Sequence, residues 1–312
     1  MSIRRLSSTM AHGPVTLDAG KQFIRWGKTD IVTPTDRFAP RDFLDVIGNE
    51  FLPVTGARLT LQARDETFEV AWMPFFTPSR LPLSNQRWTA VPPSSAVFSF
   101  TEVKATLPDR AQAGVRWAHT GSGSEYALSF FDGFNHLPNI AVRSGADPLE
   151  LEILASYPAL RMVGGDAALP THWFMAKVEA AYFTSSTPDA DEYVLYVVQL
   201  ERQTGEWLIM GGYAGEAVTK RRTIGSFAPD RGLTRSVIAR ASYTIDPNRS
   251  AAFECAVREN GDGLYAKGEY SMARGQHWRT MVIAALLAGR AADFLGQYRR
   301  NSHLAVSLRY SF

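Results

Sequence analysis

The stretch NSHLAVSLRYSF, residues 301–312, alternates without a break. Leu304, Val306, Leu308, Tyr310 and Phe312 fall on one side of an extended chain. His303, Ala305, Ser307, Arg309 and Ser311 fall on the other. Side chains on a strand repeat every two residues, so one face is apolar and ends in two aromatics while the opposite face is small or polar. Such a strand meets two different solvents. The half-buried edge of a soluble sheet and the wall of a membrane barrel both fit that description. What separates them is whether the rest of the chain repeats the pattern.

It does. Strand patterns recur at 15–26, twice within 56–76, and at 111–120, 125–131, 157–165, 172–183, 193–202, 206–215, 233–245, 250–259, 263–273, 277–288 and 302–312. These are about fourteen strands, most of roughly 9 to 13 residues, the length that crosses a bilayer when tilted. Soluble strands average about five or six. The segment 15–26 changes phase near Gly20, as a bulge produces. The run MVIAALLAGRAADF carries good helix formers, but its neighbours on both sides alternate, which decides for a strand.

Connection lengths agree. Counting back from the C-terminal residue, the turns 274–276, 246–249, 203–205, 121–124 and 65–67 are short. The alternate connections 289–301, 216–232, 184–192, 132–157 and 77–110 are long. Short periplasmic turns and long external loops are the bacterial outer-membrane arrangement. The turn 260–262 is short on the long-loop side, and 164–171 is long for the other. The outward parity also sorts aromatics by height. Tyr310, Tyr270, Tyr243, Trp207, Trp278 and Trp117 gather at the short-turn end, and Tyr182 and Tyr213 near the opposite one, as two interfacial girdles require.

Composition permits this. A chain with 45% hydrophobic and 21% charged residues and a mean hydropathy of −0.15 has the averages of a soluble protein, which a barrel shares because its two faces alternate. The longest apolar run, 281–288, is far short of the roughly 18 to 20 residues of a spanning helix. A net charge of +2 and a pI near 8.6, without a basic stripe, point away from nucleic acid. Cys255 is the only cysteine, so there is no internal disulfide framework. The first residues, MSIRRLSSTMAHGP, include Arg4 and Arg5 but no signal-peptide pattern; residues 1–13 read as a tail and 14–312 as one barrel domain.

No catalytic template is present: no Walker loop, dinucleotide fingerprint, HExxH, CxxC or EF-hand loop. The serines of TGSGSE sit where a turn is needed. A barrel hydrolase would need Ser or Asp beside His on one face, and Ser302 and His303 point to opposite faces. No enzyme, cofactor or metal site is expected. Inward parity collects Arg58, Arg64, Arg116, Arg161, Lys177, Arg240, Arg258, Lys267, Arg279 and Arg309 as pore-lining candidates, against Glu69, Glu125, Glu179, Glu201, Glu206, Glu254 and Glu269. Cross-strand pairing alone explains many of these charges; a ring of basic groups would favour anions. Two prolyl segments near 27–55 and 77–110, with Arg37, Arg41, Asp42, Arg80, Arg87 and Trp88, are candidate constriction loops. Residues 41–47 fit a short helix. The aromatics Phe38, Phe43, Trp88, Phe98 and Phe100 favour packing of these loops over floppiness.

GKQFIRWGKTDIVTPTDRFAPRDF, the later PSRLP with Arg87 and Trp88, FDGFNHLPN and the ending LRYSF together resemble porin-like outer-membrane channels related to the alginate-export family. The resemblance implies a β-barrel passing small solutes or an anionic polysaccharide, with an external loop over an Arg-lined pore. The reading is therefore an all-β chain: a transmembrane, antiparallel, up-and-down β-barrel of about 14 strands, or the C-terminal part of one with 16 to 18. It sits in the outer membrane with its termini periplasmic. Its expected partners are outer-membrane lipid, small or anionic solutes, and the barrel-assembly machinery through the C-terminal strand.

Overall fold

Alternating segments of this length can satisfy their backbone groups only against neighbours, and they build one continuous wall. The computed structural model describes residues 4–83, 86–89, 99–102, 105–144, 150–221 and 228–311. Its strands are β1 (Leu6–His12), β2 (Val15–Gln22), β3 (Arg41–Asp42), β4 (Glu50–Phe51), β5 (Val54–Ala63), β6 (Glu66–Met73), β7 (Ser99–Glu102), β8 (Gln112–Thr120), β9 (Glu125–Phe134) and β10 (Asn139–Ser144). They continue with β11 (Glu150–Ser156), β12 (Ala159–Pro170), β13 (Met175–Thr184), β14 (Glu192–Thr204), β15 (Trp207–Lys220), β16 (Ser236–Asp246), β17 (Arg249–Arg258), β18 (Gly263–Arg274), β19 (Trp278–Gly289) and β20 (His303–Tyr310).

A 15-stranded sheet takes these in the order β1-β2-β5-β6-β8-β9-β12-β13-β14-β15-β16-β17-β18-β19-β20. Every neighbouring pair is antiparallel, so this is an up-and-down wall with no crossovers. Its two outer strands, β1 and β20, each pair on one side only among the described residues. The remaining strands form small satellites within the long connections: β10-β11-β7, with β11 and β7 parallel, and β3-β4.

Several expectations are corrected. The tail at 1–13 holds a strand, β1, so the wall, expected at about fourteen strands, has 15. The chain enters it at the long-loop end rather than beside its C-terminal residues at the short-turn, periplasmic end. The long turn at 164–171 does not exist, because β12 runs on to Pro170 and the turn is 171–174, where Thr171 closes back on Phe174. Short turns then alternate with long loops along the whole wall, 259–262 excepted. The helix at 41–47 is replaced by β3 and a turn in which the Asp45 carboxylate accepts from the backbone N–H groups of Ile47 and Gly48 at 3.1 and 3.0 Å.

The phase change near Gly20 has a different cause from a bulge. Leu17 and Ala19 face outward with Leu59, while Ile24 and Trp26, just beyond β2, are buried inside. The chain leaves the wall there and turns its apolar side into the lumen. Gly20 itself has φ +124°, and a Cβ on it would lie 2.4 Å from the Leu6 carbonyl oxygen, so only glycine fits.

The sorted aromatics are present. Trp207 stacks near Tyr243 at 4.7 Å and Trp278 near Tyr310 at 4.9 Å on the short-turn side. Tyr196 and Tyr213 lie 6.1 Å apart toward the other end. The inner face differs from that of an empty tube. Inward residues of β5, β6, β9 and β12–β14 close around Ile24, Trp26 and Phe38, and those of β16–β19 around Phe43, Val46, Trp88, Leu295 and Tyr298.

Candidate functional site

Between these two packed clusters the lumen holds a cavity of about 580 Å³. Its position follows from how segment 23–53 is fastened to the wall. Glu179 on β13 is buried and faces inward. It accepts hydrogen bonds from the backbone N–H groups of Lys28, Thr29 and Thr35 at 2.9, 3.0 and 2.7 Å, and from the Thr35 hydroxyl at 2.8 Å. The Asp36 carboxylate accepts from the N–H groups of Trp26 and Gly27 and pairs with Arg25 at 3.2 Å. Gln199 on β14 brackets Asp30, accepting from its N–H at 2.9 Å and donating to its carboxylate at 2.8 Å. Arg116 donates to the Trp26 carbonyl and pairs with Asp166 at 3.1 Å. Lys28 pairs with Glu125. A polar segment can be buried only with its donors and acceptors matched, and these contacts supply the matching.

The cavity is walled by charge of both signs. Arg25, Arg41, Lys177 and Arg240 line it with Asp30, Glu201 and Glu254. Lys177 sits 2.9 Å from Asp30 and 2.8 Å from Glu201, so it is fully engaged. Arg240 is 3.6 Å from Glu254 and remains 42% exposed. Arg41 forms no ion pair among the described residues. Its guanidinium donates to Asn49 Oδ1 at 2.7 Å and Thr33 Oγ1 at 2.9 Å and stacks over Phe51 at 4.1 Å, while Arg25 lies 4.2 Å from the same ring. Burial, reinforced by the charge of Arg37, pushes Arg41 down to about 10, which leaves it cationic at neutral pH.

Of the pore-lining candidates, Lys177 and Arg240 reach this cavity. Arg58 is held by Asp18 at 2.9 Å, and Lys267 lies 3.9 Å from Glu254. Arg258 pairs with Asp293 at 3.0 Å and donates to the Gly232 and Thr234 carbonyls, bracing the external loops. Arg279 and Arg309 face each other directly on the inner face beside the β20 edge. Two candidates do not face the lumen. Arg64 belongs to the β5–β6 turn, with φ 56°. Arg161 shares the outward parity of Val163, because Leu160, Met162 and Asp166 on the same strand are buried inside.

Among the constriction-loop candidates Arg41 alone lines the cavity. Arg37 pairs with Asp230 at 3.2 Å and stacks on Phe183 at 4.4 Å, and Arg80 pairs with Asp42 at 2.6 Å. Arg87 donates to the Asn301 carbonyl at 3.0 Å, and Trp88 packs on Tyr298 at 5.4 Å. Phe98, Phe312 and the side chain of Phe100 lie outside the described residues. Sequence parity missed Arg25, Asp30, Asn49 and Phe51, which lie off the wall. The only sequence signal for them is their place in the GKQFIRWGKTD segment and the residues that follow it.

A solved structure shares this architecture. OccAB4 of Acinetobacter baumannii superposes with a TM-score of 0.53 at 11% identity, over 90% of this chain and 69% of that one. The fold is that of an outer-membrane porin. OccAB3 of the same organism gives a TM-score of 0.49 at 8% identity, over 97% of this chain and 75% of that one. OpdQ of Pseudomonas aeruginosa gives 0.45 at 10% identity, over 89% and 76%. No protein-family model matches the chain, and no curated protein matches it. A relation to the alginate-export family is not shown.

Proposed function

We propose that this chain forms an outer-membrane channel through which small solutes diffuse, with a preference for anions. The observation that carries the reading is the 580 Å³ cavity left open between two packed clusters and lined by Arg25, Arg41 and Arg240. A lumen built only to be filled would not hold a half-buried guanidinium such as Arg41 without a carboxylate partner, since an unpaired, partly desolvated charge is costly. An anion passing the narrow region supplies that partner transiently. Segment 23–53 sets the width, and the wall charges set the sign, as in other pores lined by Arg and Lys. The terminal strand β20, with Leu304, Val306, Leu308 and Tyr310 on one exposed face, is the segment offered to the barrel-assembly machinery.

Planar-bilayer recording tests the channel. The expected result is discrete conductance steps with an anion-to-cation permeability ratio above one. Replacing Arg25, Arg41 and Arg240 together by Gln leaves Lys177 against Asp30, Glu201 and Glu254 and brings the ratio below one, whereas replacing Arg58 and Arg258 leaves it in place. A silent protein that is correctly inserted, or an unchanged ratio in the triple variant, overturns the reading.

A further inference from the structure

Arg161, excluded from the lumen, has an unusual setting on the outer wall. It lies directly across from Asp132 on β9, both facing outward at the long-loop end. Asp132 binds two guanidiniums at once: Arg161 Nε at 2.6 Å and Arg110 Nη1 at 2.5 Å. Two positive charges share one negative charge, and the arginine side chains are 71% and 54% exposed. Their other N–H groups make no hydrogen bond among the described residues. Trp72, outward on β6, stands at the same height, opposite Ala113, which is itself opposite Asp132. A tryptophan at that level marks the headgroup region.

Below this cluster the same two strands run down into the apolar belt. Phe130 and Val163 come first, then Leu128 and Gly165. Around Gly165 the wall sinks into an apolar furrow of about 530 Å³, flanked by Leu128, Val178, Ala180, Tyr196 and Val198. Arg161 and Gly165 are four residues apart on one strand, about 13 Å. At the tilt of a barrel strand that is about 10 Å of depth, which keeps the furrow beside Gly165 within reach of a chain lying in one leaflet's hydrocarbon, about 15 Å deep.

We propose that this face of the barrel holds one outer-leaflet glycolipid of the lipid A type. A phosphate monoester sits between Arg110 and Arg161, and an acyl chain lies down the furrow over Gly165. The phosphate supplies the charge the cluster lacks, and a bidentate guanidinium contact suits it. The chain covers apolar surface that Gly165, with no side chain, and the methyl of Ala180 leave recessed. The proposal rests on the barrel fold and not on conductance, so either can fail without the other.

Native mass spectrometry of the full chain in detergent, titrated with bis-phosphorylated lipid A, is the test. The expected result is one retained lipid, at least tenfold weaker binding for R110Q/R161Q, and similar weakening for A180L. Lipid A stripped of phosphate binds the parent and the arginine variant alike. Folding is checked by heat-modifiable gel mobility, and R161Q alone replaces the double variant if the latter does not fold. Unchanged lipid A affinity in folded arginine variants overturns the proposal. So does displacement of the lipid by millimolar inorganic phosphate, which would make the cluster a free-phosphate site. Self-association without bound lipid, abolished by A180L, also overturns it by assigning the furrow to a second copy of the chain.

Discussion

Glu179 shows how one buried side chain fixes a functional dimension. It is 2% exposed and its carboxylate gathers backbone donors from residues about 150 positions earlier in the chain, Lys28, Thr29 and Thr35. Replacing it by Ala leaves those donors unmatched inside the lumen, at a cost on the order of 3 kcal/mol. The expected outcome is a lowered denaturation midpoint together with a larger single-channel conductance as segment 23–53 comes away from β13. A lower midpoint with unchanged conductance would show that the segment stays in place without Glu179. Sequence parity identified Glu179 as inward but had no means of finding what it holds, because the partners are remote and sit in a prolyl loop without periodicity. Parity reads Arg161 as inward, although it faces outward, for a related reason. On the upper part of β12 both faces are apolar, Leu160 and Met162 inward against Phe131 and Phe38, Val163 outward, so alternation carries no sign there.

The elements that fill the lumen are joined at His136, in the connection between β9 and β10. Its ring nitrogens face the carbonyls of Thr77 at 2.7 Å and Arg37 at 3.0 Å, tying the β6–β8 connection to segment 23–53, and its ring stacks on Phe76 at 5.4 Å. Burial, helped by the charge of Arg37 and opposed by the two carbonyls, pushes this imidazole down to about 4. The unfolded ring binds a proton near 6.5, so the undocked state takes up more protons between those values. Docking is therefore fully stable above about pH 6.5 and weakens as the pH falls toward 4, by up to about 3 kcal/mol. Limited proteolysis of segment 23–53 should accelerate over that interval in the parent and not in His136→Gln. Equal acceleration in both would assign the effect to other groups. The wall elements, by contrast, were legible almost strand by strand. Backbone pairing forces a period of two on any segment with two different solvents, and the short turns fix the count. The exception, β1, is hidden because LSSTMAH is short and has only Leu6 and Met10 as large apolar residues, too few to show a period of two.

At the scale of the molecule, protection should be graded across the wall. Strands β13 and β14 are paired on both sides and backed by segment 23–53, whereas all of β1 and most of β20 are exposed. Hydrogen exchange in micelles is expected to be slow at β13 and β14 and faster, by about a hundredfold or more, at the free edges. Uniform protection from β1 to β20 would mean that the two edges are covered. Those edges carry an arithmetic of their own. Along 15 strands paired antiparallel throughout, the first and last point the same way. A rung formed directly between β1 and β20 would thus be parallel. Whatever polypeptide closes the ring with antiparallel rungs alone must contribute strands in an odd number, and the finished circumference is then even.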